Sequence, residues 1–247
     1  MDRMLYIAMS GARETMLAQA ANTNNLANAS TTGFKADLTQ ARSMPMFGPG
    51  MPTRVYAMTE RPAIDLKPGT EHTTGRDLDI AVRGQGWIAV QTPNGGEAYT
   101  RAGNLRLTST GMLTTATGLP VLGNSGAPIS IPQAQKVEIG GDGTISIRPM
   151  GQSASALVEV DRIKLVNPPS SELIKGQDGL IHLKGGGKAS ADANVSVISG
   201  ALEGSNVSPV SALVNMIELA RQYETQVKMM KTADEDDRAA SQLLTLA

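Results

Sequence analysis

The stretch "NTNNLANASTTGFK", Asn22–Lys35, puts four Asn into seven residues at the end of an otherwise helical pattern, then continues Thr31-Thr32-Gly33-Phe34. Asn is a mediocre helix former because its amide competes with the backbone for hydrogen bonds. A helix ending in Asn22, Asn24, Asn25 and Asn28 is therefore weak alone. Two readings fit. In one, the segment is a fraying last turn that Asn caps. In the other, amides spaced three and four residues apart (Asn22 with Asn25, Asn24 with Asn28, Asn25 with Asn28) hydrogen-bond across helix-helix contacts. A buried amide that must be matched fixes register at a cost in stability, so the segment would be specific once assembled.

Upstream, Leu5, Ala8, Met9, Ala12, Met16, Gln19, Thr23 and Leu26 recur at three- and four-residue steps, with no Pro before Pro45. The stripe predicts a helix with a narrow face of small residues. Gly33 stands where a left-handed stop is expected, with Phe34 able to fold back on the last turn. The helix is expected to end between Ser30 and Gly33.

At the other end, Ser208-Pro209 reads as an N-cap followed by proline at the first helical position, where its missing N–H is no loss. No Gly or further Pro interrupts Pro209 to Leu246. Val210, Leu213, Ile217, Ala220, Glu224, Val227, Met230, Asp234, Asp237, Ser241 and Leu244 alternate at the spacing of a coiled-coil seam. A helix this long with one narrow apolar stripe needs something to lie against.

The middle has a different period. Trp87–Val90, then "PNGG" at 93–96, then Ala98–Thr100 read as a hairpin, as do "GGDG" at 140–143 and Thr144–Ile147. Val158–Val160, Ile163–Leu165 and Leu180–Leu183 continue the pattern. Between the first helix and these strands, residues 43–70 carry Pro45, Pro49, Pro52, Pro62 and Pro68, which suits an extended connecting arm. The expected fold class is α+β: long terminal helices pairing as an α-helical coiled-coil module, an inserted antiparallel all-β domain, and a proline-rich arm. The expected divisions are 1–35, 36–75, 76–204 and 205–247.

Composition narrows the chemistry. With 22 Lys+Arg against 23 Asp+Glu, the net charge of −1 suggests neither a nucleic-acid surface nor a membrane anchor. Absent Cys excludes disulfides and thiol nucleophiles, and only His72 and His182 could supply imidazole, without metal-site spacing. The glycine clusters at 84–86, 140–143 and 185–187 match no phosphate-binding motif and read as turns. Asp234–Asp237 occupies consecutive helical positions that cannot all face one ion, so it reads as a solvated face or a contact with a neighbour's basic residues. Asp77-Leu78-Asp79 reads as turn and strand-edge chemistry. The early apolar run Met4–Met9 is short for a secretory signal, and no segment is long enough for a membrane span. No catalytic residue, cofactor or metal is expected, and the partner is expected to be protein.

Two segments then carry a resemblance. "NNLANASTTGFKAD", Asn24–Asp37, is similar to the N-terminal signature of the rod and hook proteins of the bacterial flagellum. "LEGSNVSPVSALVNMIELARQYETQVKMMKTADE", Leu202–Glu235, resembles their C-terminal helix, and Gly75–Gly123 resembles their β domain. Within the family, the opening "MDRMLYIAMSGA" and "LEGSNV" at 202–207 look most like the proximal-rod members.

The resemblance implies a structural, non-enzymatic subunit of the basal-body rod, within the periplasm, exported without a cleaved signal through the flagellar type III apparatus. The implied partners are the proximal-rod neighbours and the distal-rod protein, with no nucleic acid and no direct membrane insertion. The terminal helices would form an inner tube and the β domain an outer layer. The residues expected to carry assembly are Asn24, Asn25, Leu26, Asn28, Gly33, Phe34, Asn206, Val207, Leu213, Ile217, Tyr223 and Val227. Two rivals are a distal-rod subunit and an enzyme that remodels peptidoglycan.

Overall fold

The computed structural model describes residues 3–45, 55–151 and 157–245. The chain divides into two compact units. One comprises Met1–Ala29, Ala36–Asp65 and Val207–Ala247, and the other comprises Ser30–Lys35 and Leu66–Asn206.

The helical unit is built on α1 (Arg3–Ala27) and α2 (Pro209–Thr245). The helices pack against each other and run antiparallel: the Asn22 amide donates to the Ala212 carbonyl at 2.7 Å, while Gly11 lies against the Gln226 side chain. Their contact uses small residues, with Ala8, Ala12 and Thr15 buried on α1 and Ala212 and Ala233 on α2. A Cβ added at Gly11 would sit 2.9 Å from the Gln226 side chain, so glycine lets the helices approach at that point. The start of α2 is as expected. Pro209 is its first residue, and the Ser211 N–H donates to the Ser208 hydroxyl at 3.4 Å.

The first helix ends earlier than the sequence suggested. The Asn28 N–H is shared between the carbonyls of Asn24 and Asn25, and its side chain donates back to Asn24 O at 2.9 Å. The last turn thus closes on the asparagines themselves, and Gly33 is not the stop.

The expected extended arm is also corrected. Part of it doubles back as an antiparallel pair of β1 (Asp37–Pro45) and β2 (Val55–Ile64), packed on α1. Pro49 and Pro52 lie outside the described residues. Pro45 and Pro62 are compatible with pairing because a two-stranded ribbon hydrogen-bonds on one side only. Pro62 falls where the register shifts, with Arg61 and Pro62 both opposite Thr39, and Pro45 sits at the strand end.

The β unit is antiparallel throughout its described strands. Its elements are β3 (Glu71–Thr73), β4 (Ile80–Arg83), β5 (Trp87–Gln91), β6 (Glu97–Thr100), β7 (Leu105–Leu107), β8 (Leu113–Thr115), β9 (Ala134–Ile139), β10 (Thr144–Pro149), β11 (Val158–Arg162), β12 (Leu165–Val166), β13 (Leu173–Lys175), β14 (Ile181–Leu183), β15 (Ser196–Ser199) and β16 (Ala201–Glu203). The largest sheet has the order β12-β5-β6-β14-β13, beside a sheet β11-β10-β9 and two-stranded pairs β15-β4, β16-β3 and β7-β8. "PNGG" makes the β5–β6 turn, where Thr92 N–H donates to Gly96 O and Gly95 adopts φ +79°.

Inward-pointing Ile80, Val82, Ile88, Val90, Leu105, Leu113, Ile145 and Ile163 come together as one core. Along β10, Ile145 and Ile147 are buried while their neighbours are not, the period of two expected of a half-covered strand. Two charged groups are buried with them: Lys164 donates to both oxygens of Glu97 at 2.8 and 2.9 Å. The Tyr99 hydroxyl donates to Glu97 and accepts from the Ala189 N–H. Burial, opposed by the Ala189 N–H and reinforced by Glu97, pushes the Tyr99 phenol up to about 12.

Candidate assembly surfaces

Asn25 is the amide around which the end of α1 is organised. Its Nδ2 donates to Asp37 O and its Oδ1 accepts the Asp37 N–H, both at 2.8 Å. The side chain thus imitates one rung of a β ladder and pins the start of β1 to α1. Asn22 reaches α2 instead. Within the chain the Asn-rich stretch divides its bonds: Asn28 closes the turn, Asn22 bonds across to α2, and Asn25 holds the hairpin. Asn24 is exposed and Leu26 half-buried. Between α1, β1 and α2 lies a cavity of about 290 Å³ whose lining includes Asn22, Asn25, Asp37, Asn215, Glu218 and Gln222.

Several large apolar side chains of the helical unit point elsewhere. Met9 and Met16 are 53% and 58% exposed, roughly a quarter-turn round α1 from Ala8 and Ala12. On α2, Leu213 and Ile217 are 50% and 55% exposed and, with Val210 and Val214, form a face roughly opposite buried Ala212. Tyr223 is exposed and Val227 half-buried. The first half of the expected seam is thus turned away from α1. The side chain of Leu244 lies outside the described residues.

Gly33, Phe34 and Asn206 belong to the β unit, and Val207 begins the last segment of the helical unit. All four are half-buried. Gly33 adopts φ +68°, donates its N–H to Glu203 O at 2.8 Å, and leaves no room for a side chain: a Cβ there would lie 2.3 Å from the backbone of Arg101 and Ala102. The Lys175 ammonium sits 4.0 Å from the centre of the Phe34 ring. Next to them Glu203 is fully buried and ion-paired with Lys35 at 2.6 Å and Arg101 at 2.7 Å. Burial of the carboxylate opposes its charge, but the Lys35 and Gly69 hydrogen bonds and the two cations outweigh it, holding Glu203 below the usual glutamate range. Sequence reasoning missed Lys35, Arg101 and Glu203. They are distant along the chain, and only their spacing in the fold unites them.

Among the described residues, no group of three or more His, Asp or Glu is placed to hold a metal ion. No helix among them is long and apolar enough to cross a membrane.

Comparison with known proteins matches three stretches. Residues 5–35 fit the family described as flagella basal body rod protein, residues 81–147 the flagellar hook protein FlgE/F/G D1 domain, and residues 198–243 the flagellar basal body rod FlgEFG protein C-terminal. The chain is 41% identical to the flagellar basal-body rod protein FlgF of Escherichia coli (strain K12), with all of both chains covered. The chain belongs to the FlgF family of flagellar basal-body rod proteins. Salmonella typhimurium FlgF is 40% identical, again over all of both chains. The flagellar basal-body rod protein FlgG of Bacillus subtilis (strain 168) is 31% identical over 95% of this chain and 96% of its own. As an FlgF-family member the chain is a structural subunit of the flagellar basal-body rod, not an enzyme, and it assembles with other rod subunits.

Proposed function

We propose that this FlgF-family chain is a proximal-rod subunit whose terminal helices complete their packing on neighbouring subunits, as an inner coiled-coil tube that transmits torque across the periplasm. The outward face of Val210, Leu213, Val214 and Ile217 is the observation that carries this reading. It repeats at three- and four-residue steps, stands opposite the intramolecular contact, and matches the seam that the sequence presents for a partner helix. The exposed flank of Met9 and Met16 supplies a second apolar surface on α1. The partners in this reading are the proximal-rod neighbours and the distal-rod protein, and export runs through the flagellar type III apparatus without a cleaved signal. The 41% and 40% identity to two FlgF relatives, against 31% to the FlgG relative, supports the proximal over the distal position.

The assembly residues are Asn25 and Leu26 at the end of α1, with Leu213, Ile217 and Val227 along α2. Asn24, Asn28, Gly33, Phe34, Asn206, Val207 and Tyr223 complete the set. The test is Leu213→Asp with Ile217→Asp in a motile host. Secretion of the variant with complete loss of motility and of rods extending past it is the expected result. Wild-type motility would overturn the reading.

A further inference from the structure

Three segments carry the chain between the β unit and the helical unit: residues 30–35, 66–69 and 203–206. One carboxylate meets all of them. Glu203 Oε1 accepts from Lys35 Nζ at 2.6 Å and from the Gly69 N–H at 2.9 Å, and Glu203 Oε2 accepts from Arg101 Nη1 at 2.7 Å. Lys35 Nζ also donates to Lys67 O, the Gly33 N–H donates to Glu203 O, and Asn206 donates to both Phe34 O and Lys67 O. Arg101 is tied in turn to the carbonyls of Val82 and Gly84 and lies 5.3 Å from the Trp87 ring centre. Lys175 donates to Lys35 O.

We propose that Glu203, Lys35 and Arg101 form a clasp that gathers the connecting segments and opens as a single local element, before and independently of the β core. The physical reason lies in how the charges depend on one another. Burying three charges costs more in desolvation than an apolar cluster of equal volume, so stability alone does not favour this arrangement. A carboxylate whose Oε1 takes a bond from each of two connecting segments, and whose Oε2 is held by Arg101, instead fixes geometry. Removing its charge strands both cations in a buried site, so the bonds to residues 33–35 and 67–69 weaken together. The core around Ile88 and Leu113 is apolar and has no such dependence. The clasp belongs to the single chain. Its consequence in a rod, setting how stiffly the connections carry load, rests on the assembly proposed above.

The sign of the pH dependence follows from the depressed acidity of Glu203. Its contribution is complete above the ordinary glutamate range and is lost as pH falls through the lower folded value. The groups facing the carboxylate are Lys35, Arg101 and the Gly69 N–H.

The experiment is amide hydrogen exchange by NMR on the full chain. In Glu203→Gln, the Gly33, Gly69 and Asn206 amides are expected to lose protection together, on the order of tenfold or more, while those of Ile88 and Leu113 are unchanged. In the wild type, acidification is expected to release the same three amides with one midpoint below the ordinary glutamate range, while the core holds. Lys35→Met, which leaves the Arg101 pair, is expected to give a smaller, still concerted release. Retained protection, separate midpoints, or loss in step with the core would each overturn the proposal. The wild-type titration decides it even where Glu203→Gln fails to fold. None of these readouts depends on rod assembly, so they stand apart from the motility test.

Discussion

The two units bury opposite kinds of residue. In the β unit Ile80, Ile88, Leu105, Leu113, Ile145 and Ile163 are all essentially inaccessible, and fully burying each such side chain is worth about 1.5–3 kcal/mol. Among the described residues of the helical unit the buried ones are Ala8, Ala12, Thr15, Ala212 and Ala233, while Leu5, Met9, Met16, Leu213 and Ile217 stay outside. Alanine contributes far less area than leucine or isoleucine, so the helix pair gains close contact but little hydrophobic stabilisation. The β unit has closed its own core. The helical unit buries small residues at its intramolecular contact and leaves several large apolar ones exposed.

The largest effect expected on the chain's own stability is in the closed core. Leu105→Ala should cost about 2–5 kcal/mol, read as a lower urea midpoint by fluorescence of the one tryptophan, Trp87. An effect below about 1 kcal/mol would show that Leu105 is less tightly enclosed than its burial indicates, and the contrast between the units would weaken.

A smaller and more local effect is expected at the end of α1. Asn25→Ala leaves the Asp37 N–H and carbonyl without their side-chain partner, and an unsatisfied, partly buried polar group costs about 1–3 kcal/mol. Exchange of the Asp37 amide should accelerate while the urea midpoint of the Trp87 signal stays put. A shift in that midpoint would mean that the loss is not confined to the hairpin and helix.

Much of this organisation was legible because it rests on local chemistry. The Ser208-Pro209 start, the "PNGG" and "GGDG" turns and the alternation in β10 each need only neighbours in sequence. Residues 43–70 were misread because proline density forbids a helix without distinguishing an arm from a ribbon, and Pro62 is accommodated where the strand register shifts. The orientation of α2 was not legible, since heptad-like spacing looks the same whether the seam meets a helix of its own chain or another. Small residues at Ala212 and Ala233, which packing actually selects here, give little hydrophobic signal. The Glu203 cluster was hidden for a different reason: its partners lie 168 and 102 residues away in the chain, and no periodicity links them.

The smallest stability effect is expected on the outer flank of α1, and it tests the comparison most sharply. Met9 and Met16 are more than half exposed, so Met9→Ser with Met16→Ser removes little contact within the chain. The monomer's unfolding free energy should change by no more than about 0.5 kcal/mol for each substitution, the range of surface sites. A clear loss of helical signal or a lower melting temperature in the purified monomer would mean that this flank is already covered, and the helical unit would then be as self-sufficient as the β unit. If stability holds while rod assembly fails, the side chains that matter least to the isolated subunit are those that matter most between subunits. A completed core and an uncompleted one would then divide a single chain between folding and assembly.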